Sequence, residues 1–447
     1  MDLLISGATV LTMDADLRVL PDAFVGITGG KISFLGKAAP VEKPKKIMDA
    51  TGLVLMPGLI DAHCHLTHAI LRNYRDDLPK LERLETQLLP KLDRMDRRIA
   101  AAAATLSIAE ALRSGITSLS VLDRFCGPIA QVAADSGIKC NLAPAAEWYE
   151  EEFDLDEDLP GQQLQELHRR WAGFDGGRLQ IEAGIHSEYT SGYQLWEALG
   201  RYAAQEGLGL QLHLGQTAAE CDRCLDRYGM PPAQLLDCHR LFGKRVAAAG
   251  GGALTPEDRQ CLARHGATIV YTPVAALRQA QPLPDIPALL QCGLNVALGS
   301  DGPIYGGTID LFAQMRAAAL ASEHAAHALP PAALLTMATI CGARAQGREA
   351  NCGQIRPGMD ADLILLDFTA PHLIPCHDLL SALVHNASGQ DVCLTIVRGK
   401  VVYAGGKFPT LDLASAVNEL TQYGIETMFS EPAQQPAAAD EPKGAEQ

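Results

Sequence analysis

Two textures of hydrophobic patterning divide the chain. Over the first 57 residues, apolar positions alternate or run β-branched in LLISGATVLTM, AFVGITGGKISFLGK and KIMDATGLVLMPG, with Gly, Asp and Pro between them. That pattern predicts short β-strands. The same texture returns near the end in ADLILLDF and VCLTIVRGKVVYAGGK. Between them, strand-like runs alternate with helical ones: LQIEAGIH precedes LWEALGRYAAQEG, LGLQLHLG precedes a helix, and LNVALGSDG precedes TIDLFAQMRAAALA. Such alternation predicts repeated βα units around a parallel sheet, and roughly 290 residues of them suit an eight-fold barrel. The expected architecture is α/β: a distorted (β/α)8 TIM barrel over residues 58–352, inserted in a small composite β-sandwich from residues 1–57 and 353–426. From residue 427 to 447 the chain becomes rich in Pro, Ala, Gln and acids without periodicity, which predicts a disordered tail.

Composition narrows the function classes. A hydrophobic content of 47% suits a sizeable core, and 37 basic against 53 acidic residues leave a net charge of -16. That charge opposes binding to a phosphate backbone, so no nucleic-acid partner is expected. The N-terminal stretch has no basic leader followed by an apolar run, and no segment approaches the roughly 20 apolar residues of a membrane span. A cytoplasmic enzyme with a small-molecule substrate and no membrane partner is the expectation. The 12 cysteines are scattered, so reduced, mostly buried thiols are expected. The CxxC of Cys221 and Cys224 has helix-like flanks and no second pair, which favours two thiols on neighbouring turns over a metal ribbon.

Candidate chemistry concentrates at strand ends. In PGLIDAHCH the strand period places His63 and His65 on one face and Cys64 on the other, so the two imidazoles can share an ion. The bland alternative is two partly buried histidines. His213 closes the apolar strand LGLQLHLG as a third imidazole, or as a hydrogen-bonded histidine at a barrel mouth. Asp301 closes NVALGSDG, where it can take a proton from a water or cap the following helix. Nitrogen plus carboxylate donors suit one divalent zinc or iron ion better than magnesium or calcium.

These motifs, in order with Leu71-Arg72, Asp76-Asp77-Leu78, IHSEYTS, LHLGQT, VALGSDG and GQIRPGMDADLILLD, resemble the amidohydrolase superfamily over residues 1 to about 410. The resemblance is to the branch of cytosine, guanine and methylthioadenosine or S-adenosylhomocysteine deaminases and of triazine hydrolases. It implies metal binding by His63, His65, His213 and Asp301, with Asp301 also the proton acceptor, a substrate-facing His186, and a homodimer.

The departures are as specific as the matches. Gln216 stands where the family carries a proton-shuttling Glu, and Gly250 where it carries a polarising His. The next strand ends Tyr271-Thr272-Pro273 in place of His-Cys-Pro, and the usual Ser-Asn pair after Asp301 is missing. Gln216 and Tyr271 are expected to contact substrate; ordinary deamination would need replacement acid-base groups such as Glu188 or Tyr271, whereas hydrolysis of a leaving group that needs less proton help would rely on the metal and Asp301. Glu82 matches a ribose-contacting Glu, but Arg83 replaces its neighbouring Trp; a solvated helix face is the simpler reading. Arg278 is expected either to meet an anionic substrate at the barrel mouth or to form a surface salt bridge. His68, His239, His265, His324 and His327 are expected on the surface or in helix packing. Gly250 to Gly252 form no phosphate loop, since no GKS or GKT follows. The expected function is hydrolysis of a C–N bond in a small heterocyclic compound; the alternative is an impaired or repurposed homologue that keeps the metal site.

Overall fold

The computed structural model describes residues 1–78, 80–243 and 245–430. The alternating N-terminal stretches form β1 (Leu3–Leu11), β2 (Val19–Thr28), β3 (Lys31–Gly36), β4 (Lys46–Asp49) and β5 (Leu53–Pro57). The βα region supplies β6 (Leu59–Cys64), β7 (Ile116–Asp123), β8 (Lys139–Pro144), β9 (Leu179–Ile181) and β10 (Ala183–Gly184). It continues with β11 (Leu210–Leu214), β12 (Val246–Gly250), β13 (Thr268–Tyr271) and β14 (Asn295–Leu298). After it come β15 (Leu363–Asp367), β16 (Val392–Val397) and β17 (Lys400–Ala404).

Strands from both ends of the chain share one eight-stranded sheet, ordered β17-β16-β15-β5-β1-β2-β3 with β4 on β1. Antiparallel pairing of β5 with β15, Leu55 opposite Leu365, joins the two halves. This sheet has its own buried cluster, including Ile5, Val25, Ile27, Leu363 and Ile396.

Between the halves lie two all-parallel sheets, β6-β7-β8-β9 and β10-β11-β12-β13-β14. With β9 and β10 counted as one interrupted strand, they make the eight positions of a barrel. Backbone hydrogen bonds bridge both seams: His186 N donates to Ala146 O at 2.9 Å, and Asp301 N to His63 O at 3.0 Å. The first bond lies beyond the C-terminal ends of its strands and the second joins the C-terminal end of β6 to the turn after β14, the side on which a barrel of this kind carries its chemistry.

The end of the chain departs from expectation. The helix Ile425–Phe429 runs past residue 427, because Met428 is buried with Leu71, Leu88 and Leu92 and Phe429 meets Tyr74 edge-on at 4.9 Å. Residues 431–447, the remainder of the expected tail, lie outside the described residues. All 12 cysteines are free thiols; Cys221 and Cys224 sit buried on the helix Ala218–Tyr228. Among the described residues no helix is long and apolar enough to cross a membrane.

Candidate metal centre and its cavity

Strand alternation puts Asp61, His63 and His65 on the inner side of the barrel, while Cys64 turns into the core and donates to Ser120 O. His213 comes in from β11 and Asp301 from the turn after β14. One donor atom from each of His63, His65, His213 and Asp301 lies within 4.8 Å of the others, and all four residues are buried. Asp301 Oδ1 stands 3.5 Å from His63 Nε2 and 3.6 Å from His65 Nε2; His65 Nε2 and His213 Nε2 are 3.3 Å apart.

The imidazoles are held in one tautomer by their outer nitrogens. His65 Nδ1 donates to Leu122 O, and His213 Nδ1 donates to His186 O at 2.8 Å. Each Nε2 lone pair is therefore turned to the centre. His63 Nε2 is buried without a hydrogen-bond partner. Burial holds His63 below the ordinary imidazole pKa and His213 well below it, which keeps both in the neutral ligating form. Converging lone pairs beside a carboxylate are unsatisfied without a cation, and spacings of this size suit neighbouring ligands of one small divalent ion. The residues fit a metal.

The Gly-Ser-Asp-Gly turn is built for this approach. A Cβ at Gly299 would lie 2.9 Å from His63 O, and one at Gly302 only 2.6 Å from His65 O, so side chains there would push the turn off the His63–His65 strand. Asp301 itself holds a left-handed φ of 62°, a conformation that persists in non-glycine residues only where surroundings impose it. Asp61 pins the turn: its Oδ1 accepts from His63 N at 3.2 Å and Ser300 N at 3.0 Å, while burial raises its pKa to about 7. Its position two residues before His63, on the same strand face, was a signal for this role.

A cavity of about 110 Å³ opens beside the donors, with His65, His213 and Asp301 in its wall. His186 and Gln216 line it, as expected for substrate contacts. Tyr271 does not: it lines a separate cavity with Leu283 and Ile286, because the end of β13 turns its ring outward into the helical layer. Glu188 is also absent from the wall; it is buried behind it, its Oε2 accepting from Ser187 Oγ at 2.8 Å. Neither replacement acid-base group reaches the centre. Arg278 is tied into a salt bridge with Asp76 at 2.9 Å. Glu82 is exposed.

His68 corrects its expected surface role. It is half-buried, lines the cavity and stacks on His65 with centroids 4.8 Å apart. The loop after β6 is drawn inward by Asp123, which accepts from Thr67 N at 3.1 Å and from Thr67 Oγ1 at 2.9 Å. Arg124 and Glu147, paired at 2.6 Å, also line the cavity and carried no sequence signal.

The two departures interlock. Gly250 has a φ of 118°, and a Cβ there would meet Gln216 Cγ at 2.7 Å and Leu214 O at 2.9 Å. Restoring histidine by Gly250→His combines backbone strain with overpacking and is expected to lower stability by about 2–5 kcal/mol. Chemical denaturation measures it; an unchanged midpoint would refute the crowding.

Glu188 makes a second measurable prediction. Burial raises its pKa from 4.5 to about 7, so between those values the native state holds a proton that the unfolded chain has lost. Stability then falls as pH rises through that window, and Glu188→Gln is expected to remove the fall, worth on the order of 3 kcal/mol above pH 7. Melting temperatures at pH 5 and pH 8 test this; equal pH slopes in the two proteins would contradict it.

Comparison with known proteins agrees with this geometry. The amidohydrolase family model matches residues 54–402. A 5'-deoxyadenosine deaminase of Methanosarcina mazei is 33% identical over 425 residues, 94% of this chain and 96% of the relative. A 5-methylthioadenosine/S-adenosylhomocysteine deaminase of Caldicellulosiruptor saccharolyticus is 30% identical, covering 94% and 97%. Among solved structures, a zinc-bound adenosine deaminase from Xanthomonas campestris superposes with a TM-score of 0.89 at 28% identity, over 95% of this chain and 98% of its own. With the family model matched across the barrel and both joining strands, this chain belongs to the amidohydrolase family.

Proposed function

We propose that the protein is a metal-dependent hydrolase that cleaves a C–N bond of a small heterocyclic compound. The observation that carries this reading is the convergence of three imidazole Nε2 atoms and the Asp301 carboxylate beside a cavity. In it, His63, His65, His213 and Asp301 hold one divalent ion, with zinc, as in the Xanthomonas neighbour, ahead of iron. When bound, the ion supplies Lewis acidity that activates a water and polarises the carbon under attack. Asp301 takes the proton from the attacking water and returns it to the departing nitrogen. Gln216 and His186 orient the substrate; the neutral amide of Gln216 holds a hydrogen bond without exchanging a proton. Residues 58–352 form the catalytic barrel and the terminal segments its supporting β-domain. A cytoplasmic homodimer completes the reading, to be tested by fractionation and sedimentation.

The interlock of Gln216 with Gly250 favours one alternative, a repurposed homologue that keeps the ion. Metal analysis of the purified protein, followed by ammonia release from a panel of aminoheterocycles and triazines, separates the two. Stoichiometric zinc with turnover lost on chelation and restored by zinc is expected. A metal-loaded protein inert toward the whole panel would leave the alternative standing.

A further inference from the structure

Two features of the cavity go unused by the metal chemistry and bear on what it admits. The first is size. At about 110 Å³ the cavity is ring-sized: pockets for larger ligands run to roughly 300–1,000 Å³, and an apolar cavity of about 150 Å³ takes benzene. One wall is apolar, formed by Leu84, Leu89, Leu92, Phe125 and Tyr305. Arg83 braces that wall from behind, buried 2.6 Å from Asp76 and 5.5 Å from the Tyr305 ring centroid. Glu82, the residue placed to meet a ribose, faces solvent. The cavity holds a ring, and a sugar attached to it would have to extend through the mouth, with no carboxylate among the described residues lining the cavity on the side of that apolar wall to hold it.

The second feature is an uncommitted acceptor. Among the described residues, three carboxylates line the cavity: Asp123, Glu147 and Asp301. Asp301 belongs to the ligand set, and Asp123 is occupied by Thr67 and by Phe125 N. Glu147 remains. Its Oε2 pairs with Arg124 Nη2 at 2.6 Å, and its Oε1 stands 3.9 Å from His186 Nδ1, too far for a hydrogen bond. Arg124 also meets Asp93 at 3.2 Å, so its charge is shared between two carboxylates and offers little to an anionic substrate.

Resting on the hydrolytic reading, we infer that the substrate is a flat, uncharged aminoheterocycle without a sugar. Glu147 is its specificity-determining residue, accepting a hydrogen bond from an N–H group on the edge away from the scissile C–N bond. This separates the chain from relatives named for nucleosides, by the wall at Arg83 and Tyr305 and by the acceptor at Glu147.

Zinc-loaded protein titrated calorimetrically with adenine, guanine, cytosine and 2,4,6-triamino-1,3,5-triazine, and with adenosine and 5'-deoxyadenosine, tests this while ammonia release is followed in parallel. At least one free ring is expected to bind tenfold more tightly than either nucleoside. Glu147→Gln should weaken that binding about 10- to 100-fold at unchanged melting temperature, and Glu147→Asp should recover part of it. Glu82→Ala should leave binding and turnover as they are. Nucleosides that bind as well as the best ring, ring binding indifferent to Glu147→Gln, or no ring binding at millimolar concentration each overturn the inference. Glu147-dependent ring binding without ammonia release from any compound upholds it and overturns the hydrolytic reading instead.

Discussion

Asp301→Asn is expected to lower turnover by at least about a thousandfold while the metal-free protein melts within a few degrees of the parent. The substitution keeps the side chain's shape and removes two things together: the anionic donor within 3.5 Å of His63 Nε2 and 3.6 Å of His65 Nε2, and the base that receives the water proton. General acid-base assistance contributes typically 10²- to 10⁴-fold, and the lost ligand adds weaker metal retention. Folding is less exposed, because the turn is pinned through Asp61 and backbone hydrogen bonds, which Asn leaves intact. Metal content and the rate at saturating zinc distinguish the two losses. Retention of full activity with a full complement of zinc would remove Asp301 from the mechanism.

Gln216→Glu is expected to act in the opposite direction, raising turnover by about 10²- to 10⁴-fold and adding a new limb to the pH profile. Gln216 lies on the cavity wall three residues after His213, so a carboxylate of the same size would meet the same substrate edge with a transferable proton. The neighbouring Glu220 Oε2 already accepts from Gln216 N at 3.2 Å, and this nearby negative charge would raise the new carboxyl toward the neutral range a proton shuttle needs. No companion change at Gly250 is required, since the glycine accommodates residue 216 as it stands. A change of less than threefold would mean that proton delivery does not limit this site, and would favour the repurposed homologue.

The barrel and its four donors were legible because both rest on local periodicity. The helix at Ile425–Phe429 was not, because its amphipathic partner, the surface around Leu71 and Leu92, lies more than 300 residues earlier. Tyr271 illustrates a different limit. Its place at a strand's end was readable, but the strand ends in a Thr-Pro turn, and packing of the following helices decides which cavity the ring enters. His68 and Glu147 sit on connections after strands, where no period tells inside from outside.

By itself, the sequence determined the alternation of strand and helix and the inward face of β6. It also determined the loss of a transferable proton at Gln216, because these follow from side-chain direction and side-chain chemistry alone. Tertiary structure decided which loop residues join the metal donors around one cavity. It brought His68 against His65, set Glu147 beside His186, turned Tyr271 away and filled the space at Gly250 with Gln216. Each of those outcomes depends on backbone distant in the chain closing over the strand ends, and no local pattern encodes that closure.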